Sequence, residues 1–469
     1  MFDRLPRLSR RAALLALGAA SLLSACSLWR PSPHAAVADA TPPIVFVHGN
    51  GDTAALWTTT IWRFESNGWP RDRLVAIDLP YPLARDDDAK PQEGRTSTTE
   101  HMQYLSAEVD KVLKATGASQ VVLIGNSRGG NAIRNYIANG GGAAKVSHAV
   151  LGGTPNHGVW ADAKRNPGNE FNGAGPFLTA LNAPKGAEGL EVTPGVKWMT
   201  IRSDGNDKFA QPDGVWIGAK GVPTHVSAEG PALKGADNVV LPGVDHRETS
   251  YSPQAFAAAY RFITGRTPSL PIAPEASPVL NGKVSGMGLN NDPARGTYAT
   301  NLPLAGATVE VYATDPATGD RVGAAVLRKT VGSDGLWGPL RADPKTPYEF
   351  VVSARGYATT HIYRSPFPRS SSVVNLRAER IADADRDAKS IVTLTRPRGY
   401  FGIPRDQISL DGKSPPGGIP PGVAGVSVAK LKVLDAAMRP VAGEFNGERI
   451  VGRAWPAANN EIVFLELHY

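Results

Sequence analysis

The chain has 469 residues, a formal net charge of +7 and a single cysteine, Cys26. One cysteine excludes a disulfide within the chain, so burial of apolar side chains must hold the folded domains together. The charge is modest for this length, and no basic run carries interleaved aromatic residues, which argues against nucleic-acid binding. The length is sufficient for at least two hydrophobic cores.

The first 26 residues have the pattern of an export signal. Four arginines up to Arg11 precede an apolar run over residues 12–23 that is too short to span a membrane. The segment Leu23-Ser24-Ala25-Cys26 resembles a bacterial lipobox, which implies cleavage before Cys26 and attachment of a lipid to it. We therefore expect an exported protein, either lipid-anchored at the cell envelope (outer membrane or cell surface) or secreted. The alternative is a plain signal peptide with an incidental cysteine.

Residues 41–265 alternate short apolar runs with helix-like segments, a pattern typical of βαβ units around a parallel sheet. Six runs have the composition of strands: 44–47, 74–77, 121–124, 146–151, 196–201 and 239–241. The spacing of apolar residues also predicts helices over 99–115 and 254–264, each ended by a glycine. The sequence thus predicts an α/β domain with about six mostly parallel strands.

Residues 125–129 read Gly-Asn-Ser-Arg-Gly and join the third of these strands to a helix-like stretch. This is the context of a nucleophile elbow, in which a strained turn presents a serine hydroxyl to a base and a substrate. A hydroxyl is a weak nucleophile, so Ser127 can act only if a base and an orienting acid accompany it. The alternative is a serine in an ordinary glycine-rich turn.

The base of such a site lies on the loop after the last strand, and among nine histidines only His246 has that position. The acid is expected after the strand over 196–201, where Asp204 and Asp207 compete. Asp207 is favoured because it lies deeper in the turn, and Asp204 is the alternative. Asp245 is too close in sequence to His246 to orient its ring easily. The predicted order is therefore Ser127, Asp207, His246.

Two backbone amides are candidates for an oxyanion hole, which stabilises the negative oxygen of a tetrahedral intermediate. One belongs to Asn50, in His48-Gly49-Asn50 at the end of the first strand, and the other to Arg128, directly after the serine. We expect His48 to hold this loop rather than to act as the base.

These residues belong to sequence segments that resemble those of the small bacterial triacylglycerol lipases (lipase class 2). The similarity covers about residues 43–265 and includes IVFVHGNGDTAALW, VVLIGNSRGGNAIRNYI and ADNVVLPGVDHRETSYSPQAF. It implies a minimal α/β-hydrolase domain that cleaves carboxylic esters through Ser127, Asp207 and His246, without metal or organic cofactor. The family has His and Met beside its serine, whereas this chain has Asn126 and Arg128. We expect the arginine side chain to alter the mouth of the site and to favour a polar or anionic group near the ester.

An insertion over residues 154–194 is rich in glycine, proline and asparagine and carries several large apolar residues. An irregular segment of this length is typical of a functional lid that closes over a site. A packed surface loop is the competing interpretation.

A proline-rich segment over residues 266–278 predicts a semi-rigid linker, beyond which helical periodicity disappears. Residues 279–378, with GATVEVY and YEFVVSARGYATTHIY, resemble a carboxypeptidase-regulatory (transthyretin-like) β-sandwich. Residues 388–469 carry further strands, either as a separate β domain or as one barrel with the preceding residues. The whole architecture resembles an archaeal long-chain lipase whose C-terminal β domain binds lipid. A structural or surface-adhesion module is the alternative.

The predicted function is that of a serine hydrolase acting on esters of the triacylglycerol type, in contact with lipid substrate and membrane. The alternative within enzymes is an extracellular polyester depolymerase of the polyhydroxyalkanoate type. The alternative outside enzymes is a non-catalytic lipid- or surface-binding protein on a hydrolase scaffold. The sequence indicates no metal site, cofactor or nucleic-acid partner and leaves the oligomeric state open.

Overall fold

A computed structural model of the chain describes residues 41–291 and 296–469. The predicted export signal and Cys26 lie outside these residues. Residues 42–469 form a single compact unit. In the described ranges, no helix combines the length and the apolar character needed to cross a membrane.

The N-terminal half is built on a six-stranded sheet with the order β2-β1-β3-β4-β5-β6, in which every neighbouring pair is parallel. Its strands are β1 (Ile44–Val47), β2 (Leu74–Ile77), β3 (Val121–Asn126), β4 (Val146–Gly152), β5 (Lys197–Ser203) and β6 (Asp237–Leu241). The predicted α/β fold is therefore confirmed, and the strand bounds differ from the expected ones by at most two residues.

Helices cover both faces of this sheet. They are α1 (Thr58–Ser66), α2 (Thr98–Thr116), α3 (Arg128–Asn139), α4 (Pro176–Leu181), α5 (Glu248–Tyr251) and α6 (Pro253–Thr264). Alternate side chains of β1 enter opposite cores: Phe46 packs with α1 and α6, and Val47 packs with α2 and α3. Because the central strands are buried on both faces, their sequences are continuous apolar runs.

The ends of the long helices follow from local chemistry. Ser97 and Glu100 form a reciprocal capping box at the start of α2, and Ser252 caps α6 by accepting from the amide of Ala255. Gly117 and Gly265 end these helices with φ of 67° and 71°, a conformation that glycine adopts without strain. Gly117 thereby turns the chain toward the start of β3 at Val121.

The C-terminal half contains a seven-stranded sheet. Its strands are β7 (Thr308–Ala313), β8 (Leu327–Thr330), β9 (Tyr348–Ser353), β10 (Thr359–Arg364), β11 (Ser390–Thr395), β12 (Val428–Val433) and β13 (Glu461–Glu466), in the order β8-β7-β9-β10-β13-β11-β12. The last strand, β13, is parallel to both of its neighbours, β10 and β11. Residues 279–378 and 388–469 therefore share one sheet.

Shorter elements complete the fold. An antiparallel three-stranded sheet consists of Ile408–Leu410, Pro440–Phe445 and Glu448–Arg453. Two-stranded pairs join Leu83–Ala84 to Arg95–Thr96, Val279–Leu280 to Leu340–Arg341, Val284–Gly286 to Leu376–Ala378, and Gly288–Leu289 to Thr297–Tyr298. Single 3-10 turns occupy Ala54–Trp57, Arg71–Arg73, Gly142–Ala144, Val215–Ile217, Asp383–Asp385 and Ala457–Asn459.

The two halves are packed against each other. Trp62 of α1 is fully buried in a core that belongs mainly to the C-terminal half, and its Nε1 donates to the carbonyl of Ser370 at 2.9 Å. The segment over residues 266–278 is held against the end of α1, where Asn67 and Ser269 exchange two hydrogen bonds of 2.8 Å. The β half therefore lies close enough to contribute to a site on the hydrolase half.

Candidate active site

Ser127 occupies a sharp turn between β3 and α3. Its φ of 54° and ψ of −123° lie in a region that non-glycine residues adopt only under strain, as an elbow requires. A Cβ at Gly129 would stand 2.4 Å from the carbonyl oxygen of Val47, and one at Gly125 would stand 2.8 Å from the amide nitrogen of Gly130. Glycine is therefore required on both sides of the serine, which accounts for the motif.

His246 lies on the loop after β6 and contacts the carboxylate of Asp207. Its Nδ1 is 2.7 Å from one carboxylate oxygen and 2.9 Å from the other, while Nε2 has no hydrogen-bond partner among the described residues. The amide of Phe209 donates to Asp207, and the Phe209 ring packs edge-on against the imidazole with centroids 4.7 Å apart. This arrangement holds the proton on Nδ1 and leaves Nε2 able to accept one.

Asp204 has a different set of contacts. It is exposed and accepts hydrogen bonds from the amides of Gly205 and Gly243, and the Gly243 bond is the main cause that lowers the pKa of Asp204. Gly243 belongs to the loop that carries His246. Of the two aspartates considered from the sequence, Asp207 contacts the imidazole and Asp204 contacts the backbone of its loop.

The loop after β1 runs directly beside the serine. A Cβ at Gly49 would lie 3.1 Å from the Ser127 Cβ, and the Asn50 side chain fixes the loop by accepting from the amide of Ala84 at 2.7 Å. His48 is buried; its Nδ1 donates to the carbonyl of Gly49 and its Nε2 accepts from the amide of Leu79. Burial lowers the pKa of His48, so it stays neutral and holds the loop, as expected.

Arg128 supplies the second amide proposed for the oxyanion hole. As the first residue of α3, its N–H has no acceptor within the helix. The expectation that its side chain alters the mouth of the site is wrong, because the guanidinium is 1% exposed and does not line the cavity of Ser127. It forms a two-pronged ion pair with Glu170 at 2.8 Å and also donates to the carbonyls of Pro82 and Thr96. The insertion thus provides the buried carboxylate that compensates this cation.

Ser127 and His246 line one cavity of about 250 Å³. Five aromatic side chains form much of its wall: Trp160 and Phe171 from the insertion, Phe209 and Trp216 from the segment after β5, and Tyr400 from the β half. Arg247 and Asp52, paired at 2.9 Å, are its charged wall residues. The insertion is therefore a packed segment that also forms one side of the site.

Sequence reasoning missed Trp216 and Tyr400. Trp216 is an aromatic residue in a glycine- and proline-rich stretch, and this was the one signal that could have found it. Tyr400 lies in irregular chain between β11 and β12, so no motif connects it with His246. In residues 41–291 and 296–469, no group of three or more His, Cys, Asp or Glu side chains is placed to hold a metal ion.

Two family models match the chain. Residues 42–188 match the alpha/beta hydrolase fold, and residues 278–381 match the lipase C-terminal domain. Similar solved structures include a Bacillus licheniformis lipase, BlEst2, in its propeptide form (14% identity, TM-score 0.35, 69% of this chain and 90% of that one). A Legionella pneumophila phospholipase, PlaB, is 12% identical (TM-score 0.33, 74% of this chain and 95% of that one). A Bacillus subtilis carboxylesterase, CesB, is 14% identical (TM-score 0.27, 48% of this chain and 85% of that one).

The two family matches fall on the two halves defined by the sheets. The first covers β1 to β4 with the serine elbow, and the second covers β7 to β10. The expected lipase-type architecture with a C-terminal β domain is confirmed at this level. The chain therefore contains a segment similar to the alpha/beta hydrolase fold, followed by a segment similar to the lipase C-terminal domain.

Proposed function

We propose that the protein hydrolyses carboxylic esters with Ser127 as nucleophile, His246 as base and Asp207 as the acid that orients the base. The observation that supports this proposal is the His246 ring, bound to Asp207 through Nδ1 with Nε2 unpartnered within the described chain, in the cavity that Ser127 also lines. The backbone amides of Asn50 and Arg128 are the proposed oxyanion hole.

The reaction follows from these positions. His246 Nε2 accepts the Ser127 hydroxyl proton as Oγ attacks the ester carbonyl, and the two amides stabilise the resulting oxyanion. Collapse of the intermediate breaks the ester bond, and His246 gives its proton to the leaving alcohol. A water molecule, deprotonated by His246, then attacks the acyl-enzyme and releases the acid and Ser127.

The size of the cavity favours a compact acyl group. The cavity that Ser127 lines has a volume of about 250 Å³, below the range of roughly 300–1,000 Å³ that is usual for sites of drug-sized ligands, and a second cavity of about 450 Å³ shares only Phe209 and His246 with it. The aromatic wall supplies a large apolar contact area, as an acyl chain requires. We therefore propose short- and medium-chain esters as better substrates than long-chain triacylglycerols.

Nitrophenyl butyrate, octanoate and palmitate esters test this substrate class. We expect the highest kcat/KM for butyrate or octanoate and no turnover above background by the Ser127→Ala variant. A fluorophosphonate probe should label wild type but not Ser127→Ala, whereas Ser147→Ala, a control on β4, should label normally. Absence of labelling in wild type, or equal labelling of Ser127→Ala, would contradict the proposed nucleophile.

Export and lipid attachment at Cys26 are proposed as well, on the lipobox-like segment of the sequence. Metabolic labelling with an alkyne fatty acid in a bacterial host should mark the wild-type chain and leave Cys26→Ala unmarked. Labelling of both chains, or of neither, would contradict the anchor.

A further inference from the structure

Arg396, in the β half just after β11, contacts the hydrolase half next to the proposed base. Its side chain is 4% exposed, and Nη1 donates to a carboxylate oxygen of Asp245 at 2.7 Å. Nη2 donates to Glu248 and, at 2.8 Å, to the Tyr251 hydroxyl. The guanidinium also donates to the backbone carbonyls of Tyr400 and Tyr469. One buried side chain of the β half thus contacts three residues around the loop that carries His246.

Asp245 is fully buried and directly precedes His246. One of its oxygens accepts from the amides of Arg247 and Glu248 and so fixes the turn that contains His246. Its other oxygen accepts from Arg396 and from the amide of Tyr400 at 2.7 Å. Each carboxylate oxygen has two donors, and one pair of donors belongs entirely to the β half.

A buried carboxylate without its cation is strongly unfavourable, so this turn depends on Arg396 to stay in its conformation. The carbonyl of His246 accepts hydrogen bonds from the Thr249 hydroxyl at 2.7 Å and from the Asn126 side chain at 3.3 Å. The backbone on the N-terminal side of His246 is fixed through Asp245. Displacement of a catalytic group by about 1 Å can lower a rate about 100-fold.

We propose that Arg396 is a positioning residue for His246, acting through Asp245, so that the site is incomplete without the β half. This inference rests on the proposed role of His246 as base. It gives the C-terminal domain a part in turnover that does not require it to bind lipid.

Arg398 offers a matched control on the same segment. It is 2% exposed, and its guanidinium donates to the backbone carbonyls of Leu467, His468 and Ala55 without contacting Asp245. We expect Arg396→Met to lower kcat for nitrophenyl butyrate about 100-fold, with KM changed less than about threefold. Arg398→Met, assayed as folded protein well below its unfolding temperature, should keep kcat within about threefold of wild type. Arg396→Lys should restore part of the loss, because it keeps the charge but not the forked geometry.

The pH profile and a double-mutant cycle separate positioning from general destabilisation. In Arg396→Met, Asp245 and Glu248 lose a cation, while Arg405 remains paired with Glu248 at 2.7 Å and lies 3.7 Å from Asp245. Loss of one of these two cations leaves more negative charge next to the base and favours its protonated form, so the acidic limb of kcat/KM should move to higher pH. That limb should return to the wild-type pH in Arg396→Met/Asp245→Asn, and kcat of the double variant should match Asp245→Asn alone.

Three outcomes would overturn the proposal: kcat of Arg396→Met equal to that of Arg398→Met, losses that multiply in the double variant, or an acidic limb that does not move. If Arg396→Met does not fold, Asp245→Asn decides the matter, because wild-type kcat in that variant would also overturn it. The proposed function fails separately, through hydrolysis or labelling that persists in Ser127→Ala.

Discussion

At the scale of single residues, the two aspartates after β5 have different contacts, which predict different effects of their substitution on kcat. Asp207→Asn should lower kcat by about 10⁴, because an amide cannot hold the imidazole in the tautomer that leaves Nε2 free. Asp204→Asn should change kcat less than about tenfold, since its oxygen contacts only backbone and a neighbouring serine. Steady-state kinetics on nitrophenyl butyrate measure both. A larger loss in Asp204→Asn would assign the acid to that residue instead.

Residue-scale prediction from sequence is possible where the chain order of an α/β sheet restricts the choice. Ser127 and His246 follow strands that end at the same edge of the sheet, so their positions could be derived from strand order alone. Arg128 could not be predicted in this way, because the direction of its side chain depends on Glu170, 42 positions further along the chain. A local motif carries no information about such a distant partner.

At the scale of elements, the insertion is fixed to α3 by two buried arginines. Arg128 binds Glu170, and Arg134 donates to the side chain of Asn182 at 2.6 Å and to the carbonyl of Glu191 at 3.2 Å. Burial raises the pKa of Glu170, an effect that Arg128 opposes, and burial lowers the pKa of Arg134 to about 10. These contacts join the Trp160 and Phe171 wall to the helix that follows the nucleophile.

Glu170→Gln should therefore lower the free energy of unfolding by about 3–5 kcal/mol, because it leaves the Arg128 cation buried without its charge partner. Glu191→Gln is the control on the same insertion: its pair with His157 is partly exposed, so its loss should cost at most about 1 kcal/mol. Urea unfolding measures both values. Arg128→Met/Glu170→Met should recover most of the loss, and failure to recover would show that the ion pair is not what holds the insertion.

Strands and long helices of the hydrolase half were predictable because each has a strong local signal. The apolar runs of β1 and β3 reflect burial on both faces, and the glycines at 117 and 265 end α2 and α6. Strand β6 has a weaker signal, since it lies at the edge of the sheet and its side chains are largely exposed. Helix α4 has six residues, too few for helical periodicity to be recognised.

At the scale of the whole molecule, the contacts that join the halves link residues far apart in sequence. Lys283 pairs with Asp78 at 2.9 Å, and the side chain of Asn301 donates to the carbonyls of Asp52 and Leu79. All three partners on the hydrolase half follow β1 or β2, and Asp52 lines the cavity of Ser127. The sequence predicted that a β half exists, but propensity and periodicity do not encode which loops it contacts.

His468 connects the two halves through ring contacts. Because it is buried, its pKa makes the free energy of unfolding depend on pH. Its ring is 2% exposed and packs edge-on against Trp62 of α1 at 5.8 Å and Phe367 of the β half at 4.5 Å. Burial, with Arg398 and Arg364 nearby, holds the pKa of His468 well below its usual 6.5. The unfolded chain therefore binds a proton more readily than the folded one as the pH falls through about 6.5.

Stability contributed by neutral His468 is thus fully present above about pH 6.5 and is lost as the pH falls below it, by at most about 1.4 kcal/mol per pH unit. Urea unfolding between about pH 7 and pH 5 should show this slope in wild type, and His468→Phe should remove its share by leaving an aromatic ring that cannot be charged. His225→Asn is the control, because His225 is exposed and should leave the slope unchanged. A slope in His468→Phe equal to that of wild type would mean that His468 does not couple proton binding to unfolding.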